Sequence, residues 1–98
     1  MPGFKAEVEH SLGQEEAIKR LKLFQDKVKE SDEVKDVEGE WNDNVLTISF
    51  RTYGMNFSAK MTVEESKVAV DGQMPFAAIA FRGKIEQDIA GQLKKVLD

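Results

Sequence analysis

The strongest constraint on the fold is a run of four successive segments in which apolar and polar side chains alternate. The segments lie between Val37 and Asp71, and short stretches rich in asparagine, glycine, glutamate or serine separate them. A period of two is typical of β-strands that bury one face and expose the other to water. Short polar turns favour hairpins between neighbouring strands. The pattern therefore predicts an antiparallel meander whose apolar face must be covered by other elements.

The segments that flank the meander predict one more strand and two helices. The stretch FKAEVE alternates in the same way and predicts a first strand. From Ser11 the apolar spacing changes to three and four residues, which is typical of an amphipathic helix, and this helix is expected to end near Ser31. A second stripe of this kind, from Ile85 to Leu97, predicts a C-terminal helix. Pro75 suits the first turn of a helix, so residues 75–82 are expected to form a helical turn or a shaped loop.

Together these elements predict an α+β fold with the order β-α-β-β-β-β-α. Residues 1–98 are expected to form a single domain, because a chain of this length has no room for two cores. Both helices should pack on one face of a single antiparallel sheet of about five strands. That face is expected to carry Phe4, Val8, Leu46, Ile48, Phe50, Phe57, Met61 and Val70.

The start of the first predicted helix places the single histidine of the chain beside a serine. Ser11 and Gln14 have the spacing of a capping box, which favours Ser11 as the N-cap and His10 as a linker residue. The less favoured alternative makes His10 a general base or a pH switch. A catalytic histidine requires an orienting acid and a nucleophile, and no such motif accompanies His10.

Composition excludes several kinds of site. The chain has no cysteine, which rules out disulfides, thiolate nucleophiles and cysteine-ligated zinc. Neither a glycine-rich phosphate loop nor a spaced aspartate loop for calcium is present. The net charge of −4 argues against a nucleic-acid partner. The sequence therefore predicts a protein that is not an enzyme, with no catalytic residue, no cofactor and no metal site.

The hydropathy of the chain predicts a soluble cytoplasmic protein. The N-terminal residues lack the apolar core of a secretory signal. The longest apolar run, MPFAAIAF at residues 74–81, has eight residues, whereas a bilayer-spanning helix needs about 20. No transmembrane segment is expected.

The same run is the main candidate for an apolar contact. It holds more large apolar side chains than one helical face can bury, so three arrangements are open. The run can pack on the sheet as a shaped loop, which is the default, form an exposed patch for a lipid, polymer or protein, or roof a ligand cavity. Trp41 is a further candidate, although its position beside Gly39 on a strand favours a core role. The candidate contact residues are Met74, Phe76, Ile79, Phe81 and Trp41.

Three stretches, EHSLGQEEAIKRL, GEWNDNVLTISF and FRGKIEQDIAGQL, resemble blocks of the small bacterial family of polyhydroxyalkanoic acid system proteins. The matching positions are His10 to Gly13, Trp41 with Leu46 and Phe50, and Arg82 to Glu86. The resemblance covers nearly the whole chain. It implies a non-enzymatic accessory role, in association with polyester storage granules or their coat proteins.

A second hypothesis is a compact helix-grip domain, a shortened relative of the Bet v 1-like lipid carriers, that holds a small apolar ligand. The two hypotheses differ in whether apolar side chains face outwards or line a void. A domain of this size can hardly keep a cavity and still fold, so surface binding is favoured.

Overall fold

The chain folds into five strands, two α-helices and one 3₁₀-helix, and the computed structural model describes residues 2–98. The strands are β1 (Gly3–Glu9), β2 (Lys35–Asn42), β3 (Val45–Thr52), β4 (Met55–Val63) and β5 (Lys67–Gln73). The α-helices are α1 (Gln14–Glu30) and α2 (Arg82–Leu97), and the 3₁₀-helix Phe76–Phe81 leads directly into α2. This order confirms the predicted α+β fold.

All neighbouring strands are antiparallel, in the spatial order β1-β5-β4-β3-β2. Strands β2 to β5 form the predicted meander. Strand β1 comes first in the chain but pairs with β5 at the far edge, so α1 connects the two opposite edges of the sheet. Alternation alone does not reveal this placement, because it specifies which side chains face the core and not which strands are neighbours.

Both helices pack on the predicted apolar face of the sheet. Helix α2 lies along β1, whereas α1 contacts β2 and β4. Of the eight side chains predicted for this face, six are buried, and Ile48 and Phe50 are partly buried against the same core. The helices contribute the buried residues Ala17, Leu21, Leu93 and Leu97.

The predicted capping box is wrong. Helix α1 begins at Gln14, so the N-cap position belongs to Gly13, which has no side chain with which to cap the helix. A capping side chain must come from the residue immediately before the first helical residue, and Ser11 lies two positions too early. Gly13 has a φ of +82°, a conformation that glycine adopts readily.

Instead, the turn between β4 and β5 holds the start of α1. The backbone N–H of Gln14 donates to the Glu65 carboxylate at 3.3 Å, and the Gln14 side-chain amide donates to the Val63 carbonyl at 2.9 Å. His10 contributes to the same junction. Its Nδ1 accepts from the Leu12 N–H at 3.2 Å, and its Nε2 lies 3.0 Å from the Glu64 carbonyl oxygen. His10 therefore stabilises the junction at the start of α1 through its side chain and does more than link β1 to the helix.

Candidate functional site

A cleft of about 540 Å³ opens between the β3–β4 hairpin and the first half of α2. Most of its lining side chains are apolar, and they come from β1, from the hairpin and from the helix. The lining residues are Phe4, Phe50, Thr52, Tyr53, Met55, Phe57, Phe81, Lys84, Ile85, Asp88 and Ile89. The cleft thus lies where the apolar face of the sheet extends beyond its helical cover.

Phe4 belongs both to the core and to the lining of the cleft. It is 1% exposed and lies opposite Gly72 in the register of β1 and β5. A Cβ atom at position 72 would overlap the Phe4 ring. The absence of a side chain at Gly72 therefore lets this ring lie close against the backbone of β5.

The hairpin wall is built by two stacked aromatic rings. Phe50 and Phe57 are direct partners across β3 and β4, with ring centroids 5.6 Å apart and an interplanar angle of 12°. Aromatic pairs of this kind contribute about 0.5–1.5 kcal/mol beyond the area that they bury. Met55 extends the wall towards the tip of the hairpin. The pair gives this end of the sheet a firm apolar surface.

The helical wall consists of Ile85 and Ile89, four residues apart on α2, and of Phe81 at the N-cap of that helix. Residues with this spacing lie on the same face of a helix. The next residue after Ile85 fixes the helix to the sheet, because the Glu86 carboxylate accepts the Lys5 backbone N–H at 2.7 Å. This bond also occupies a donor of the edge strand β1, which would otherwise be open to another chain.

Polar groups lie at the mouth of the cleft. Lys84 and Asp88 form an exposed ion pair with an Nζ–Oδ2 distance of 3.1 Å. The Thr52 hydroxyl donates to the Glu33 carbonyl at 2.9 Å. Tyr53 is 89% exposed and occupies the hairpin turn with a φ of 54°, followed by Gly54 with a φ of 72°. Two successive left-handed residues are characteristic of a type I′ turn, in which asparagine, aspartate and glycine are preferred.

The apolar run at residues 74–81 is partly core and partly exposed. Met74 and Ala78 are fully buried, so Met74 anchors the segment and presents no surface for contact. Phe76, Ile79 and Phe81 are 76%, 41% and 57% exposed. Phe76 and Ile79 are three residues apart on a 3₁₀-helix, a spacing that places them on the same side. These three exposed residues are referred to below as the apolar patch.

Trp41 lies outside both the cleft and the apolar patch. Its indole N–H donates to the buried Gln25 side chain at 2.9 Å, and the Lys22 ammonium lies 5.6 Å from the centre of its ring. In the sheet it pairs with Leu46, at the opposite end of β3 from the cleft. These contacts hold β2 against α1.

Of the five candidate contact residues, only Phe81 lines the cleft. The sequence predicts a core role for Phe4, Phe50, Phe57, Ile85 and Ile89 but not the opening beside them. Phe4 and Phe57 are buried as predicted, whereas Phe50, Ile85 and Ile89 are only partly buried. One signal was available: the hairpin turn has tyrosine where asparagine or glycine is usual.

The chemistry of the site is that of apolar contact. Within residues 2–98, no three histidine, cysteine, aspartate or glutamate side chains are grouped so that they could hold a metal ion. No helix of the same region is long and apolar enough to cross a membrane. The cleft and the apolar patch can bind a partner by releasing water from apolar surface, at about 25 cal/mol per Å² buried.

Comparison with known proteins places this chain near one family. A family model described as "Putative polyhydroxyalkanoic acid system protein" matches residues 5–97. No curated protein and no solved structure matches the chain.

Proposed function

The chain belongs to the family of putative polyhydroxyalkanoic acid system proteins, and we propose that within this system it is a non-enzymatic accessory protein that attaches to polyester granules. The attachment site is the apolar patch. In this proposal the protein is cytoplasmic, and the granule surface is its partner.

One observation carries the proposal: a segment of six residues presents three large apolar side chains to water. Phe76, Ile79 and Phe81 are exposed, although Met74 and Ala78 in the same run are buried. Single exposed apolar residues are normal on a protein surface, but a cluster of them marks an interaction site.

Backbone hydrogen bonds order the segment that carries the apolar patch. The Met74 N–H donates to the Pro2 carbonyl at 3.0 Å, which ties the segment to the start of β1. The Ala78 N–H donates to the Pro75 carbonyl at 2.9 Å and begins the 3₁₀-helix. A segment whose backbone is already ordered loses less entropy when it binds.

Charge favours a neutral surface over an anionic membrane. The 3₁₀-helix Phe76–Phe81 contains no charged residue, and the chain as a whole carries a net charge of −4. Peripheral proteins of anionic membranes use clusters of lysine and arginine. A storage polyester is apolar and uncharged, so it suits an apolar contact that lacks such a cluster.

The test is the double variant Phe76→Ser/Ile79→Ser, assayed by co-sedimentation with polyester granules and by thermal melting. The expected result is an unchanged melting temperature with weakened attachment. Leu23→Ser is a matched control, because Leu23 is also 57% exposed but lies on α1. A double variant that melts normally and sediments as the wild type does would contradict the proposal. Attachment only to granules that retain their coat proteins would make a coat protein the partner.

The cleft favours a second candidate function, the binding of a small apolar ligand in a helix-grip arrangement. Its volume of about 540 Å³ lies within the range of roughly 300–1,000 Å³ that is usual for ligand sites. Because the cleft is open to water at its mouth, the domain does not have to maintain a closed void. The argument that a domain of this size can hardly keep a cavity and still fold therefore applies less strongly to this cleft.

A further inference from the structure

We propose that the cleft binds one aliphatic chain that carries a neutral ester or hydroxyl head group, with the chain inside and the head at the mouth beside Tyr53. This inference rests on the second candidate function and does not depend on attachment through the apolar patch. It adds the class of ligand, the orientation of the ligand and the residues that select it.

The walls of the cleft select an aliphatic chain. Phe4, the stacked pair Phe50 and Phe57, and the stripe Ile85 and Ile89 present only carbon atoms from their side chains. An ionised or strongly polar group placed among them would lose its water and gain no partner, which is costly. The polar lining residues are all at the mouth, so a ligand with one polar end is expected to enter with its apolar end first.

The mouth selects a head group without charge. The Lys84 ammonium is already paired with the Asp88 carboxylate at 3.1 Å, so an anionic head group would have to compete with Asp88 for this cation. The Thr52 hydroxyl already donates to the Glu33 carbonyl. Tyr53 is 89% exposed and offers its phenol group to an ester or hydroxyl oxygen.

The conformation of Tyr53 is an independent observation in favour of a site. A tyrosine with a φ of 54° is uncommon, because left-handed residues other than glycine are mostly asparagine or aspartate. A residue that departs from the usual backbone preference at the rim of a cleft is typical of a functional position. The turn places Tyr53 in the lining of the cleft, where the shorter side chain of an asparagine would leave the mouth wider.

The inference is tested by titrating the full chain with methyl 3-hydroxydecanoate while its backbone amide NMR spectrum is recorded. Decanoate serves as the anionic comparison. The expected result is a set of shifts confined to residue 4 and to residues 50–57 and 81–89, which line the cleft, with the ester binding at least tenfold more tightly than decanoate. The variant Tyr53→Asn should weaken ester binding severalfold, and Ile85→Trp should abolish it by filling the cleft.

Phe76→Ser/Ile79→Ser separates this inference from attachment to granules, and it should bind the ester as the wild type does. An absence of shifts in residues 50–57 and 81–89 would overturn the inference, as would full affinity in the folded Tyr53→Asn variant. If decanoate bound as tightly as the ester, the inferred preference for a neutral head group would be wrong. If the ester fails to bind while the wild type still sediments with granules, this inference is wrong but the proposed attachment to granules is not contradicted.

Discussion

The ring of Phe4 lies against the backbone of Gly72, its direct partner across β1 and β5. A phenylalanine on the edge strand thereby reaches over its neighbour and contributes to the wall of the cleft. The relationship depends on the absence of a Cβ atom at position 72. It links one glycine in the sheet to the shape of the candidate site.

Gly72→Ala is predicted to destabilise the protein and to change the cleft. The new methyl group would overlap the Phe4 ring, and extra atoms in a packed core typically cost about 1–3 kcal/mol. Chemical denaturation measures the change in the free energy of unfolding. Gly91→Ala is the matched control, because a Cβ atom there meets nothing within 4 Å. In the interior of α2 this control should stabilise the protein by about 1 kcal/mol.

Tyr53→Asn is predicted to raise the stability of the protein by roughly 1 kcal/mol. The left-handed conformation costs tyrosine about 1–2 kcal/mol, whereas asparagine tolerates it and is preferred in type I′ turns. Tyr53 is almost fully exposed, so little packing is lost. The same denaturation experiment measures the gain. An unchanged or lowered stability would show that Tyr53 makes a stabilising contact that outweighs its backbone cost.

His10→Ala is predicted to lower the free energy of unfolding by about 1–2 kcal/mol. The substitution removes the two ring hydrogen bonds at the start of α1, and a hydrogen bond typically contributes about 0.5–1.5 kcal/mol. Ser11→Ala is the control and should have almost no effect, because the Ser11 hydroxyl does not cap the helix. A larger loss of stability for Ser11→Ala than for His10→Ala would contradict this prediction and would indicate that Ser11 caps the helix.

Much of the fold was predictable because apolar periodicity is a local signal. The alternation in residues 37–71 and the helical stripes specify the elements, the buried face and the side on which the helices pack. The placement of β1 beside β5 depends on which edge the first strand joins, and local patterns carry no such information. The start of α1 was misread for a related reason. The Gln14 N–H at its start donates to Glu65, which lies 51 residues away in the sequence.

The candidate site was only partly predictable. The run at residues 74–81 stands out by composition, and its exposed residues were among the candidates. The pattern could not separate Met74, which is buried, from Phe76, which is exposed, since both are large and apolar. The sequence did not reveal the cleft, because alternation with a period of two indicates only that Phe50 and Phe57 face the helices. Whether a helix extends far enough to cover them depends on tertiary packing.

The most direct test of the proposed function is the amount of protein that binds polyester granules, measured over a series of protein concentrations at low and high salt. Raising the salt from roughly 0.1 M to 1 M shortens the screening length from about 10 Å to about 3 Å, so it weakens attachment through charges but not attachment through apolar contact. Phe76→Ser/Ile79→Ser is predicted to bind at least tenfold more weakly, a loss of about 1.4 kcal/mol or more. Wild-type attachment should persist at high salt. Equal binding by the folded double variant, or loss of wild-type binding at high salt, would contradict attachment through the apolar patch.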